Sequence, residues 1–408
     1  MGGTKMSEWK RVKLGELYEV HNGLSKGRQF FGSGYPFLSF STVFNNWFLP
    51  KNLDSLVQST EKERESCSIK KGDVFITRTS ETMDELGMSS VALKDYPNAT
   101  YNGFTKRLRP ITDKVLPEYI GYYLRSTKFR NKFMAFSSMT TRASLANDDL
   151  LSMEVEVPDI NIQHRIAEIL SRYDSLIENY QRQIKLLEEA SQRLYKEWFV
   201  DLHFPGHENT PIIDGIPQGW KKKKLGDLIE LQSGYAFKSS TFESDGKYKI
   251  VTIKNVKDGS FDGDNVSLIK VIPEKMPSHC SLLSGDILLS LTGNVGRVCM
   301  MIGDNYLLNQ RVAKLKTNYP TFAYALFRSH DMFIAVNNLA NGAAQQNVSP
   351  IRIAELPLTI PPKELLDSFE RIAGRYRVSI LKSQTQIRNL SEARDRLLPK
   401  LMSAEIEV

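Results

Sequence analysis

The sequence predicts an α+β protein: two mixed α/β bodies, related by a pseudo-two-fold internal repeat, separated by two long helices that form an antiparallel coiled coil. Three observations predict it. The fifteen residues 9–23 return as residues 220–234 with eight identities. Each copy opens a half in which short β-rich runs end in polar turns. Each half closes in a long segment with heptad patterning, and a repeat of this size points to duplication of a whole unit rather than a short solenoid.

In the first body, residues 35–40, 73–77, 90–93 and 154–157 read as strands, and residues 117–136 as one interrupting helix. The second body answers in the same order, with strands at 249–253, 286–291, 297–302 and 358–360 and a helix at 320–336. Gly72-Asp73-Val74-Phe75-Ile76 aligns with Gly285-Asp286-Ile287-Leu288-Leu289, Leu124-Arg125-Ser126 with Phe327-Arg328-Ser329, and Val155-Glu156-Val157-Pro158 with Leu358-Thr359-Ile360-Pro361. The offset is 211 at the openings, 213 at the Gly-Asp strands and 203 from the interrupting helix onward. Insertions and deletions therefore fall in the middle of each body, so a shared frame carries a divergent interior.

The long helices follow from spacing. Ile166, Leu170, Tyr173, Ile177, Tyr180, Ile184, Leu187, Ser191, Leu194 and Trp198 keep a 4-3-4-3 rhythm. The second series is Phe369, Ala373, Tyr376, Ile380, Ser383, Ile387, Leu390, Arg394, Leu397 and Leu401. Sustained 3.5-residue periodicity reads as a coiled coil, and two equal helices in one chain most simply pack on each other. Pro158 and Pro361-Pro362 precede them, and Pro205 and Pro399 lie near their ends. The expected organisation is a body at 1–162, a helix at 163–200, a linker at 201–219, a body at 220–365, and a helix with its tail at 366–408. A helix of this length is a spacer of about 55 Å. B-DNA advances about 34 Å per turn, so two bodies so spaced could each enter a major groove roughly one turn apart.

Composition narrows the partners. The net charge is +7 and the sequence pI about 9.0, which fits a polyanion partner. The first helix segment, 163–199, holds six basic and six acidic residues. The excess thus lies elsewhere, including Lys221–Lys224 and Lys106-Arg107-Leu108-Arg109. No apolar run is long enough to span a membrane, and Met6 stands where myristoylation needs Ser or Thr. Cys67, Cys280 and Cys299 are scattered and odd in number, which suits a reducing, cytoplasmic setting and argues against disulfides or structural zinc. His203 and His207 flank Pro205, so their four-residue spacing reads as a turn rather than a metal site.

Catalytic motifs are absent from the sequence: no phosphate-binding loop, no Asn-Pro-Pro-Tyr or Asp-Pro-Pro-Tyr tetrapeptide, and no nuclease-like acidic constellation. Gly293-Asn294-Val295-Gly296 is too short for a dinucleotide fingerprint and reads as a loop between strands. What remains are polar clusters at strand ends. The first body offers Arg78 and Thr79, Tyr101 and Asn102, Lys106, and Arg142 and Ser144. The second offers Lys254 and Asn255, Asn294, Asn309-Gln310-Arg311 and Gln345-Gln346-Asn347. Arg can bond guanine, and Asn or Gln adenine, through two atoms at once, whereas Ser, Thr and Lys suit phosphates. Singly each cluster reads as a solvated loop; their paired placement in both bodies favours DNA readout.

From end to end, the chain resembles the specificity subunits of Type I restriction-modification enzymes. The residues that carry the resemblance are Trp-x-x-x-x-Leu-Gly-[Asp/Glu] at Trp9 and Trp220, the Gly-Asp strands at Gly72 and Gly285, Asn309-Gln310-Arg311, the twin helices, and the ending Arg396-Leu397-Leu398-Pro399-Lys400-Leu401-Met402-Ser403-Ala404-Glu405-Ile406. The resemblance implies a non-catalytic subunit with two target-recognition domains. It would bind double-stranded DNA at a split, asymmetric site and hold two methyltransferase subunits and, through them, restriction and translocation subunits. It also implies S-adenosylmethionine, ATP and Mg²⁺ for the assembled enzyme, with no cofactor or metal on this chain. Thr79-Ser80-Glu81-Thr82 departs from the Thr-Gly-x-x-Gly turn of the second half, and Tyr101-Asn102-Gly103-Phe104 stands where that half has Asn309-Gln310-Arg311. The rival readings are a coiled-coil adaptor that binds only proteins, which would not retain specific DNA, and an unrecognised DNA-modifying enzyme, which would act alone.

Overall fold

The structure is a computed structural model describing residues 9–80, 85–136, 143–144, 146–264, 266–340 and 347–408. Its contacts divide the chain into two compact units, Met1–Ser175 with Leu390–Val408, and Leu176–Asn389. Each unit thus combines one body with part of both long helices, Ile160–Tyr195 and Lys363–Met402.

In the first unit, Tyr18–Asn22, Thr105–Pro110, Val74–Thr77 and Ser89–Val91 form an antiparallel sheet in that spatial order. A second sheet sets Phe31–Leu38 between Ser55–Val57 and Thr100–Tyr101, the last pairing being parallel. The second unit repeats both sheets strand for strand. Glu230–Ser233, Val312–Lys316, Ile287–Ser290 and Val298–Met300 form the first; Ser267–Ile269, Tyr248–Val251 and Tyr306–Leu308 form the other.

Each body is closed by a ribbon of its two ends. Lys10–Lys13 pairs with Glu154–Val157, and Lys221–Lys224 with Pro357–Ile360, both antiparallel. The lysine run at 221–224 is therefore an exposed strand whose last member pairs with Glu355 rather than a free cationic tail. The Gly-Asp motifs are turn devices. Gly72 and Gly285 hold φ of +89° and +97°, and the following carboxylates accept from the amides of Lys70 and Leu283 at 2.7 and 2.8 Å. Asp73 also takes a two-pronged contact from Arg109 (2.8 and 2.7 Å), and Asp286 a contact from Lys314 at 2.9 Å. Arg107 is buried, donating to the carbonyls of Ser66 and Ser68. Arg107 and Arg109 thus serve the body's interior, so the 106–109 stretch contributes less surface charge than its sequence suggests.

Two expected elements are corrected. The interrupting helix of each body is two helices, Pro117–Arg125 then Thr127–Phe136, and Pro320–Arg328 then His330–Ala340. The breaks fall on the aligned Ser126 and Ser329, whose backbones are extended. Each hydroxyl donates to a carbonyl three residues back (Tyr123 and Leu326, 2.6 and 2.7 Å) and accepts from an amide three residues on (Phe129 and Met332, 3.3 and 3.4 Å). The strand expected at 35–40 runs Phe31–Leu38 instead, because Ser39 caps a helix, Phe40–Asn45, by accepting from Thr42 N at 3.1 Å.

The helix pairing is antiparallel within each unit. In the first, Ile166 and Leu170, near the start of one helix, share a core with Leu398, Leu401 and Met402 at the end of the other, together with Tyr119, Tyr123 and Phe129 of the body. In the second, Ile184, Leu187, Leu194 and Trp198 meet Phe369, Ala373, Tyr376 and Ile380. Of the remaining core positions, Ile177 is buried, while Tyr173, Ile387, Leu390 and Leu397 are half-buried.

The long helices also satisfy the open ends of the body helices. Fully buried Gln163 accepts from Leu116 N and donates to the carbonyls of Lys114 and Pro158, each at 2.9 Å. Glu370 accepts from the amides of Thr321 and Phe322, both at 2.8 Å. These amides open the helices beginning at Pro117 and Pro320, where no intrahelical acceptor exists. Among the described residues, no helix is long and apolar enough to cross a membrane.

Candidate nucleic-acid interface

In each body one loop joins the two sheets, and the two loops repeat bond for bond. Leu24 N donates to Tyr101 O and Tyr235 N to Leu308 O (2.8 and 2.9 Å), while Gly103 N returns to Leu24 O and Gln310 N to Tyr235 O (2.9 and 3.0 Å). Asn102 N donates to Leu38 O and Asn309 N to Val251 O (3.0 and 3.1 Å). The side-chain oxygens of the two asparagines accept from the amides two residues on, Phe104 and Arg311, at 2.6 and 3.2 Å. Such an asparagine mimics a backbone turn and fixes the loop without strain. Gly23 and Gly234 permit the approach: a Cβ on either would stand 2.2 or 2.3 Å from the carbonyl oxygen of Asn102 or Asn309.

This loop leaves two residues at its tip. In the second body they are Gln310 and Arg311, both exposed; in the first they are Gly103 and Phe104, the latter 56% exposed. The frame is common and the tips differ.

Described parts of the other clusters lie beside these tips. Arg78 N donates to Phe104 O and Leu291 N to Arg311 O, both at 3.0 Å. One residue further, Thr79–Ser80 pairs with Ala143–Ser144, and Thr292 bridges Asn347 through backbone and a 2.9 Å side-chain hydrogen bond. Segments far apart in sequence thus form one polar edge in each body. On the second, Asn294, Arg311, Gln310 and Asn347 are exposed, and Gly293, with φ of +70°, lies against Ile253, beside the exposed Lys254. On the first, half-buried Arg78 donates to Asn22 Oδ1 at 3.2 Å.

This architecture is matched at the family level. The profile described as the Type I restriction modification DNA specificity domain fits residues 6–189 and again residues 217–373. The chain belongs to the Type I restriction-modification DNA specificity family. The MjaIX specificity subunit of Methanocaldococcus jannaschii is 26% identical, covering 100% of this chain and 95% of that protein. The HindI specificity subunit of Haemophilus influenzae is 22% identical over 98% of this chain and 100% of its own length. A crystal structure of the Type I system S subunit from M. genitalium, 14% identical, shares the fold with a TM-score of 0.59 over 98% of both chains. As a specificity subunit, the chain is a non-catalytic DNA-recognition component of a restriction-modification system.

Three candidate contacts of this specificity subunit are corrected by burial. Tyr101 is fully enclosed, donates to Asn22 O at 3.0 Å, and has its phenol pushed up from its ordinary range by burial. Asn255 is buried and spans its own turn, accepting from Thr252 and donating to the carbonyls of Asp262 and Asp264. Lys106 is buried, donates to Asn147 Oδ1, and is lowered to about 8, first by desolvation and then by Arg78. Asn102 and Asn309 build the loops through their side-chain oxygens. The side chains of Thr79 and Ser144, and all of Arg142, Gln345 and Gln346, lie outside the described residues. Phe104, outside the candidate contacts drawn from the sequence, is set opposite Arg311 by registering Asn102 on Asn309.

Proposed function

We propose that this chain reads a bipartite, asymmetric duplex site for a Type I restriction-modification assembly, one half-site per body, and scaffolds the methyltransferase and restriction subunits. The observation that carries the reading is the pair of loops with identical frames and different tips, Gly103-Phe104 against Gln310-Arg311. A shared frame presents its tip in the same way to two partners, and different tips then favour different base pairs. Arg311, exposed at the tip, suits a guanine edge. Lys254 suits phosphate. The partner subunits would carry S-adenosylmethionine, ATP and Mg²⁺, and the assembly would work in the cytoplasm, where the DNA is.

The experiment is to express the chain with its methyltransferase partners and map methylated adenines in the host DNA. The expected result is one split motif with unlike halves and a fixed gap. Absence of methylation, or a continuous motif, would overturn the reading. Arg311→Ala should relax the choice at a single base pair of one half-site by about tenfold or more and leave the other half unchanged.

A further inference from the structure

We propose that Phe104 reads the C5-methyl group of a thymine in the half-site of the first body. This inference rests on the DNA-reading function proposed above and assigns one base of it. Phe104 occupies the place held by Arg311 in the second body, fixed by the same bonds: its amide to Asn102 Oδ1 (2.6 Å) and its carbonyl to Arg78 N (3.0 Å). Its position is therefore set while its ring projects, 56% exposed. Gly103 keeps the tip thin, since a Cβ there would stand 2.4 Å from Ser25 Oγ.

The surroundings favour a nucleic acid over a protein. Phe104 edges a cavity of about 330 Å³ with Leu24, Lys26, Arg28 and Phe31. Arg28 is exposed, and Arg78 lies on the strand end bonded to Phe104. An apolar tip with Arg28 and Arg78 nearby matches a major-groove edge flanked by phosphates. A phenyl ring makes no hydrogen bond to a base edge, and the thymine methyl is the apolar feature that groove offers. The second body would select its base by hydrogen bonds at this position, and the first by apolar contact.

The test uses the chain assembled with its methyltransferase partners and duplexes carrying the mapped site. Each thymine of the first half-site is replaced in turn by deoxyuridine, which removes only the methyl group. One replacement should raise Kd about fourfold, the effect of unburying one methyl. In Phe104→Ala the same replacement should change nothing, and Phe104→Leu should keep part of the effect. The proposal is overturned by a half-site without thymine, by equal deoxyuridine effects in wild type and Phe104→Ala, or by Phe104→Ala blocking assembly with the partners. Loss of all specific retention by the wild type would instead strike the DNA-reading function itself. Because the ring is exposed, thermal melting of Phe104→Ala should match wild type.

Discussion

Asp174 on the first long helix and Arg394 on the second, 220 residues apart in sequence, form an ion pair at 2.6 Å. The other carboxylate oxygen of Asp174 accepts from Tyr122 OH at 2.5 Å, and the Arg394 guanidinium lies 4.5 Å from the Trp47 ring centre. Arg394 interrupts the apolar heptad series, and this network is what it serves. Removing one partner strands a largely buried charge. Arg394→Leu should therefore cost about 2 kcal/mol, less than the ~3–5 of a fully buried pair because Asp174 keeps some solvent. The double variant Asp174→Leu/Arg394→Leu should recover most of that loss. Urea midpoints of the single and double variants check it; purely additive effects would exclude the coupling.

Gly23 and Gly234 stand where no side chain fits over the carbonyls of Asn102 and Asn309. Either Gly→Ala change should force the loop away, with a loss of about 1–3 kcal/mol. Thermal melting measures this, and an unchanged transition would refute the close approach. Gly206→Ala is the control, because nothing lies within 4 Å of its added Cβ, although its φ of +89° makes some strain inevitable.

Lys106 should titrate near pH 8 rather than its ordinary 10.5, since burial disfavours its charged form. Its folded-state pKa is depressed, so the unfolded chain binds the proton more tightly. The contribution of this lysine is then most favourable above 10.5 and falls as the pH drops from there to about 8. Lys106→Met should flatten this window. Carbon-13 NMR of the lysine ε-carbons reads the midpoint directly; titration near 10 would refute the desolvation.

Ser126 and Ser329 end one helix and cap the next. Ser→Ala at either should cost about 1 kcal/mol, and at the half-buried Ser329 the change Ser→Thr, which keeps a hydroxyl that both donates and accepts, distinctly less. Equal losses in the alanine and threonine variants of Ser329, compared by denaturant midpoint, would show that the hydroxyl is not what matters.

The sequence by itself determined the duplication, the two bodies and the long helices, because these rest on periodicity and repeated local chemistry. The heptad spacing from Ile166 to Trp198 needs no partner to be legible. The Gly-Asp turns were equally visible, since their geometry lies within four residues. Only the tertiary structure decided which polar residues face outward. Tyr101 and Phe104 are three positions apart in one cluster, yet one is buried against Phe75 of the first sheet and the other projects from the tip. The strand pairings that make this difference join Leu24 to Tyr101 and Arg78 to Phe104, contacts no local pattern announces. In the same way Lys106 and Arg109 counted as cationic surface in the sequence and became interior partners of Asn147 and Asp73 once the strands were laid side by side. Local periodicity sets what elements form; long-range pairing sets which face of each element meets water, and the proposed DNA-reading edge is made of that choice.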